Sequence, residues 1–209
     1  MAERRLRVLL VGASGTLGRA VAAELAQRHE VIAAGRQSGA LRIDLTDVAS
    51  IRRGLAEAGP LDAVISTAGK VTFAPLADFT AAPFGDSLHT LGIQDKLLGQ
   101  VNLALAARDH LSDGGSITLT TGILSEQPIA QGSSASLVNG ALESFVRAAA
   151  IELPRGLRIN VVSPNVLTEA MDAYAPYFRG FDPVPAARAA LAFSRSVEGA
   201  QTGQVYKVF

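Results

Sequence analysis

The sequence contains no cysteine. That excludes disulfides, thiolate nucleophiles and cysteine-ligated metal, and it fits a reducing compartment. Histidine is scarce as well. His29, His89 and His110 are scattered without metal-ligand spacing, so no metal is expected. No charge sign dominates, because 19 lysines and arginines balance 19 aspartates and glutamates. Apart from Arg4, Arg5 and Arg7, no stretch concentrates basic residues. A face that binds nucleic acid by counterion release is therefore not predicted. No apolar run approaches the ~20 residues of a membrane span. Leu6 to Val11 is also too short for the apolar region of a signal peptide. The expectation is a cytoplasmic protein with neither a membrane nor a nucleic-acid partner.

What is present suits one α/β domain covering residues 1–209. Hydrophobic residues make up 48% of the chain and charged residues 18%, enough apolar side chain for a sizeable core. Short runs rich in Val, Ile and Leu recur at 7–11, 31–34, 41–45, 63–67, 116–121, 158–163 and 204–209. Such runs suit strands buried on both faces. Between them, 17–29, 46–58, 94–111, 133–153 and 185–198 carry apolar residues at helical spacing. Thr46 reads as an N-cap, Pro185 as a first-turn residue, and Gly114-Gly115 as a break after the third long helix. Strand and helix in alternation predict a doubly wound parallel sheet of about seven strands with helices on both faces. Residues 71–93 and 171–184 are irregular, and loops of this kind usually cover a site.

Gly12-Ala13-Ser14-Gly15-Thr16-Leu17-Gly18 falls between the first strand and the first helix. A phosphate needs backbone N–H groups aimed at it and no Cβ in the way. The helix N-terminus meets the first need and glycine the second. A glycine pattern alone is weak, but RVLLV before it and AVAAELAQ after it supply the required context. The segment is predicted to bind the pyrophosphate of a nicotinamide dinucleotide, with Gly18 allowing close helix–strand packing. Arg36 follows the second strand, where a site selective for NAD usually has an acid. An arginine there suits the 2′-phosphate of NADP, with Gln37 and Ser38 as further donors. A plain surface arginine is the competing reading.

Four more features then follow in order. These are Asp44-Leu45-Thr46-Asp47, Ser66-Thr67-Ala68-Gly69, Gly114-Gly115-Ser116-Ile117, and Arg158-Ile159-Asn160-Val161-Val162-Ser163-Pro164. Their order and spacing resemble the short-chain dehydrogenase/reductase family over nearly the whole chain. The resemblance implies a Rossmann-type fold and cofactor contacts. Asp44 and Leu45 would meet the adenine. Ala68 and Gly69, with Thr67 before them, would lie along the ribose. Pro164, Asn165, Val166 and Thr168 would hold the nicotinamide carboxamide. It also implies a substrate lid at about 170–184, and pairing into a homodimer or homotetramer through the helices at 94–111 and 133–153.

The family's catalytic residues are missing. Val138-Asn139-Gly140-Ala141-Leu142-Glu143 resembles the family's Ser-Lys-Ala-Ala-Leu-Glu. Asn139 thus stands at the lysine position and Ala135 at the tyrosine position. Gly122 falls at the serine position, with Thr121 beside it. Lys96-Leu97-Leu98-Gly99 resembles Asn-Leu-x-Gly, so lysine replaces asparagine. Alanine cannot transfer a proton, and no tyrosine occurs before Tyr174. The chain resembles a divergent subset that lacks the usual active-site residues.

Lys96 and Thr121 are the stand-in candidates, with Ser133, Ser134, Ser136, Tyr174 and Tyr177 nearby. Burial lowers a lysine pKa and can make it an acid near neutrality. The competing reading of Lys96 is a structural bond to the end of the fifth strand. Two functions remain open. One is an NADP(H)-dependent oxidoreductase acting on a small carbonyl or quinone compound. The other is an inactive NADP(H)-sensing protein that signals to a partner.

Overall fold

A computed structural model describes residues 4–209. Strand β1 (Arg7–Val11) shows how this sequence builds a double-sided sheet. Its side chains alternate, so Val8 and Leu10 enter one core while Leu9 and Val11 enter the other. All four are at most 1% exposed. Each such buried side chain contributes about 1.5–3 kcal/mol of transfer free energy.

The chain continues through α1 (Thr16–Leu25), β2 (Glu30–Gly35), β3 (Leu41–Arg42), α2 (Val48–Ala58) and β4 (Leu61–Ser66). A long irregular segment leads to a π-helical stretch, Gly92–Leu98, that runs directly into α3 (Gly99–Arg108). Then come β5 (Leu111–Thr120), α4 (Ser133–Glu152), β6 (Arg158–Pro164), the short α5 (Met171–Tyr174), α6 (Ala186–Glu198) and β7 (Val205–Val208). The seven strands are parallel in the order β3-β2-β1-β4-β5-β6-β7. Helices α2, α3 and α4 pack one face through Ile51, Leu55, Leu103, Val138 and Leu142. Helices α1 and α6 pack the other through Val21, Leu25, Phe193 and Val197. This is the expected doubly wound sheet. The strand order reverses between β1 and β4, and a crevice outside their carboxyl ends is where such sheets bind ligands.

Several local expectations are corrected. The N-cap of α2 is Asp47, whose carboxylate accepts from the Ala49 N–H at 2.8 Å. Thr46 is engaged elsewhere, because its hydroxyl donates to Asp44 at 2.8 Å. The helix expected at 94–111 is two pieces, π-helical up to Leu98 and α-helical from Gly99 to Arg108. Gly114 and Gly115 lie inside β5, where the pairing with β4 shifts register, rather than breaking the chain. Helix α1 stops at Leu25, and β3 is only a two-residue strand. Pro185 is the N-cap of α6. On α4, Val138 and Leu142 are core residues, whereas Phe145 and Ala149 are partly covered at its edge.

Candidate active site

The turn after β1 is held in a shape that only glycine takes easily. Gly12 has φ +91°, and a Cβ there would meet the Ala68 N at 2.8 Å. Thr67, leaving β4, fastens the turn by donating its hydroxyl to the carbonyls of Gly12 (3.1 Å) and Val11 (3.3 Å). Gly15 is the N-cap of α1 and has no side chain to occupy the space in front of the helix. A Cβ at Gly15 would approach only the Gly12 carbonyl, at 3.4 Å. The result is an open cradle at a positive helix terminus.

A cavity of about 360 Å³ runs from this cradle past the ends of β2 and β3. Arg36, Gln37 and Ser38 form one rim, and Asp44 and Leu45 another wall. The Ser38 hydroxyl donates to the Ser14 hydroxyl at 2.9 Å, so two hydroxyls and a guanidinium share this corner. The Asp44 carboxylate accepts from the Thr46 N–H and hydroxyl. Those bonds, aided by the Arg36 charge, hold its pKa below the usual carboxylate range.

The groove continues past Gly69 and Lys70 into a second cavity of about 530 Å³. Gly69 (φ +138°) leaves room for the stem of Lys96, since a Cβ there would lie 2.6 Å from Lys96 Cγ. Lys96 comes from the π-helical stretch, a rare conformation that often marks functional sites. Its Nζ donates to Asn139 Oδ1 at 3.0 Å and to the Thr121 carbonyl at 3.3 Å. Asn139 in turn donates to the Gly122 carbonyl at 3.1 Å. Desolvation by the surrounding protein lowers the Lys96 pKa to about 8. An ammonium has three N–H groups, so one remains for a ligand.

Lys96, Asn139, Gly122 and Ala135 all line this cavity. Thr121 is also in the wall, but its hydroxyl donates to the buried Glu143 at 3.2 Å rather than facing Lys96. Ser125 donates to the same Glu143 oxygen at 2.7 Å. Ser133, Ser134 and Ser136 are absent from the lining. Tyr174 lines it, edge-on to Phe73 and Phe178, whereas Tyr177 packs on Phe73.

The far wall is Pro164, Asn165, Val166 and Leu167. Asn165 Nδ2 donates to the Asp182 carbonyl at 2.7 Å, tying the exit of β6 to the lid. Leu167 bridges Val184, and Thr168 N–H donates to the Val184 carbonyl at 2.9 Å. Glu169 caps α6 through the Ala186 N–H. The lid is thus clamped at its base. His29 lies remote from both cavities, against Glu198, and among the described residues no His, Asp or Glu cluster could hold a metal.

Sequence reasoning missed three site features. Asn139 is the partner that fixes Lys96, Glu143 is the acceptor that claims Thr121, and Asp95 accepts from the Lys70 N–H at 3.2 Å in the groove wall. A signal for the first lies in the sequence, where Asn139 and Lys96 are the two residues that exchange type relative to the family's motifs.

The cradle, the continuous groove and its polar rim fit an extended dinucleotide. A family profile described as enoyl-(acyl carrier protein) reductase matches residues 1–207. Versicolorin reductase 1 of Dothistroma septosporum is 30% identical over 203 residues, covering 85% of this chain and 74% of that protein. The solved structure of lin1944 from Listeria innocua is 50% identical with a TM-score of 0.93, covering 98% of this chain and 100% of that one. A small-chain dehydrogenase solved with NADPH shares the fold at a TM-score of 0.83 and 24% identity, covering 98% and 97%. The chain belongs to the short-chain dehydrogenase/reductase family of oxidoreductases, whose members use nicotinamide cofactors. Among the described residues, no helix is long and apolar enough to cross a membrane.

Proposed function

We propose that this protein is an NADP(H)-dependent oxidoreductase that reduces a small carbonyl or quinone compound, with Lys96 as the proton donor. One observation carries the reading: the Lys96 ammonium, with a spare N–H, lines an apolar cavity that joins the dinucleotide groove. Bound cofactor supplies the hydride. The chain's own residues do the rest. Gly12, Gly15 and the α1 terminus receive the pyrophosphate. Arg36, Ser38 and Ser14 receive the 2′-phosphate, with Gln37 at the rim. Asp44 and Leu45 border the adenine, and Thr67, Ala68 and Gly69 the ribose. Pro164, Asn165, Val166 and Thr168 position the nicotinamide end. Thr121 acts through its carbonyl, which helps to aim Lys96. The apolar lid excludes water. The description of the Dothistroma relative as a reductase points the same way.

The test is stopped-flow oxidation of bound NADPH against a panel of carbonyls and quinones, with Lys96→Ala alongside. Turnover lost in Lys96→Ala, with NADPH still bound, is the expected result. Tight NADPH binding without turnover on any acceptor would refute the proposal and leave the second reading, an NADP(H) sensor. That reading is favoured by the two hydrogen bonds that already fix Lys96 as a structural residue. Pairing of copies would use α3 and α4, where Leu105, Arg108, Phe145 and Ala149 line an open groove.

A further inference from the structure

The second cavity has an unusual charge inventory. Among the described residues, its only charged lining residues are Lys70 and Lys96. Among the described residues, no carboxylate lies within ion-pair distance of Lys96, whose two partners are neutral oxygens. The nearby acids are otherwise engaged. Asp95 accepts from the Lys70 N–H, and Glu143 takes the hydroxyls of Thr121 and Ser125. A partly desolvated ammonium without a counter-ion favours an anion, or a group that becomes one.

The wall beside it is equally specific. Ala135 lies one helical turn before Asn139 on α4, is 3% exposed, and lines the cavity. The family's tyrosine position is therefore lined by a methyl group, and the phenol that would donate to a substrate oxygen is missing. Apart from Thr121, Asn139 and Asn165, the remaining lining is mostly apolar or aromatic, including Phe73, Tyr174, Phe178, Ile123, Leu124 and Val166. Such a wall favours a flat aromatic ligand.

We infer that the substrate brings the missing phenol: the cavity takes an aryl carbonyl compound with a hydroxyl next to its carbonyl, and that hydroxyl fits against Ala135 beside Lys96. This deepens the oxidoreductase reading and rests on it, but for a substrate of this kind the substrate's hydroxyl replaces Lys96 as the proton donor. An ortho hydroxyl points its O–H at the neighbouring carbonyl oxygen, as the family's tyrosine does. A reduced nicotinamide gives a hydride to the carbonyl carbon, and the C=O π pair moves to oxygen. That oxygen takes the proton of the substrate's own hydroxyl. The products are an alcohol, a phenolate and the oxidised nicotinamide. The phenolate forms an ion pair with the Lys96 ammonium and is reprotonated from solvent on release. Lys96 then acts by stabilising the anion and need not reach the carbonyl oxygen itself.

The test reads ionisation rather than turnover. 2′-Hydroxyacetophenone and 2′-methoxyacetophenone are titrated into protein saturated with NADP⁺, where no reduction can occur. The phenolate absorption band of the bound hydroxy probe should appear below about pH 8, where the Lys96 ammonium is intact. That is roughly two pH units or more below an ordinary phenol near 10, within the reach of an adjacent opposite charge. Lys96→Met should abolish the shift and Lys96→Arg should keep it. The methoxy probe should bind at least about tenfold more weakly, the worth of one charge-assisted hydrogen bond. Ala135→Tyr, which fills the space, should exclude the hydroxy probe. An unshifted band in the unaltered protein, equal binding of the two probes, or no binding of either overturns the inference. If quinones still oxidise NADPH in that case, the oxidoreductase reading survives alone.

Discussion

Arg36→Ala separates the two nicotinamide cofactors. Arg36 stands at the exposed rim of the adenosine end of the groove, beside Ser38 and Ser14. A charge-assisted bond from a guanidinium to a phosphate contributes about 1.5–3 kcal/mol net. Exposure to solvent puts Arg36 in the lower half of that range. Since 1.4 kcal/mol is a factor of ten, the variant should bind NADPH roughly 10- to 40-fold more weakly. NADH lacks the 2′-phosphate, so its affinity should change less than about twofold by the same arithmetic. The Ser38–Ser14 hydroxyl pair remains, so some preference for NADPH should persist.

Salt supplies an independent arm of the same test. Raising ionic strength from 0.15 to 1 M shortens the screening length from about 8 to about 3 Å. NADPH affinity of the unaltered protein should fall more steeply with salt than NADH affinity. Arg36→Ala should narrow that difference. Titration of nicotinamide fluorescence measures all of these affinities. Equal losses for both cofactors, or no loss for either, would refute the 2′-phosphate role and leave Arg36 a surface residue.

Three further outcomes follow from the geometry. The Lys96 pKa is lowered to about 8, so the ammonium is intact below that pH and lost above it. With an acceptor that needs a proton from the protein, kcat/KM should fall as pH rises through about 8, and Lys96→Arg should remove that fall; a flat profile in the unaltered protein would exclude Lys96 as the acid. Gly69→Ala forces a Cβ to within 2.6 Å of Lys96 Cγ at φ +138°. The left-handed backbone alone costs about 1–2 kcal/mol, so the variant should melt earlier and lose the pH transition assigned to Lys96. Phe193 is fully buried between α6 and the sheet, and Phe193→Ala should lower stability by about 3–5 kcal/mol in urea unfolding, with cofactor selectivity unchanged.

The sheet was legible because burial on both faces demands short, continuous apolar runs, and those runs stand out between turn residues. The strand–turn–helix around Gly12 was legible for the same reason. The N-cap of α2 was misread by one residue because two competent caps are adjacent. Thr46 and Asp47 both qualify by type, and only the bond from Thr46 to Asp44 removes the first. The helix at 94–111 was misread for a different reason. A π-helical turn widens the helix without any apolar repeat of its own, so periodicity runs smoothly into α3. Gly114 and Gly115 read as a break because glycine weakens strands, yet here they accommodate the register shift of β5 against β4. The contact between Lys96 and Asn139 joins elements 43 residues apart, which no local pattern reports.

That contact changes what the missing catalytic residues mean. Taken singly, Asn139 at the lysine position and Lys96 at the asparagine position are two losses. In the structure their side chains touch at 3.0 Å, so the pair still holds one ammonium and one amide, with their origins exchanged between α4 and the π-helical stretch. The exchange is not neutral. The Lys96 stem lies where only a glycine fits at position 69, the Thr121 carbonyl accepts one of its hydrogen bonds, and burial lowers its pKa. Ala135 and Gly122 bring no hydroxyl themselves; among the described lining residues, Thr121 turns its hydroxyl to Glu143, and Tyr174 comes from the lid side. The site keeps a positive charge in its wall, with Ala135 and Gly122 at the positions that the resemblance assigns to the family's two hydroxyls. A protein with that distribution can hold a dinucleotide and stabilise an anion. Lys96 and the substrate are the two proposed proton sources, and the pH profile and the bound-phenol titration tell them apart.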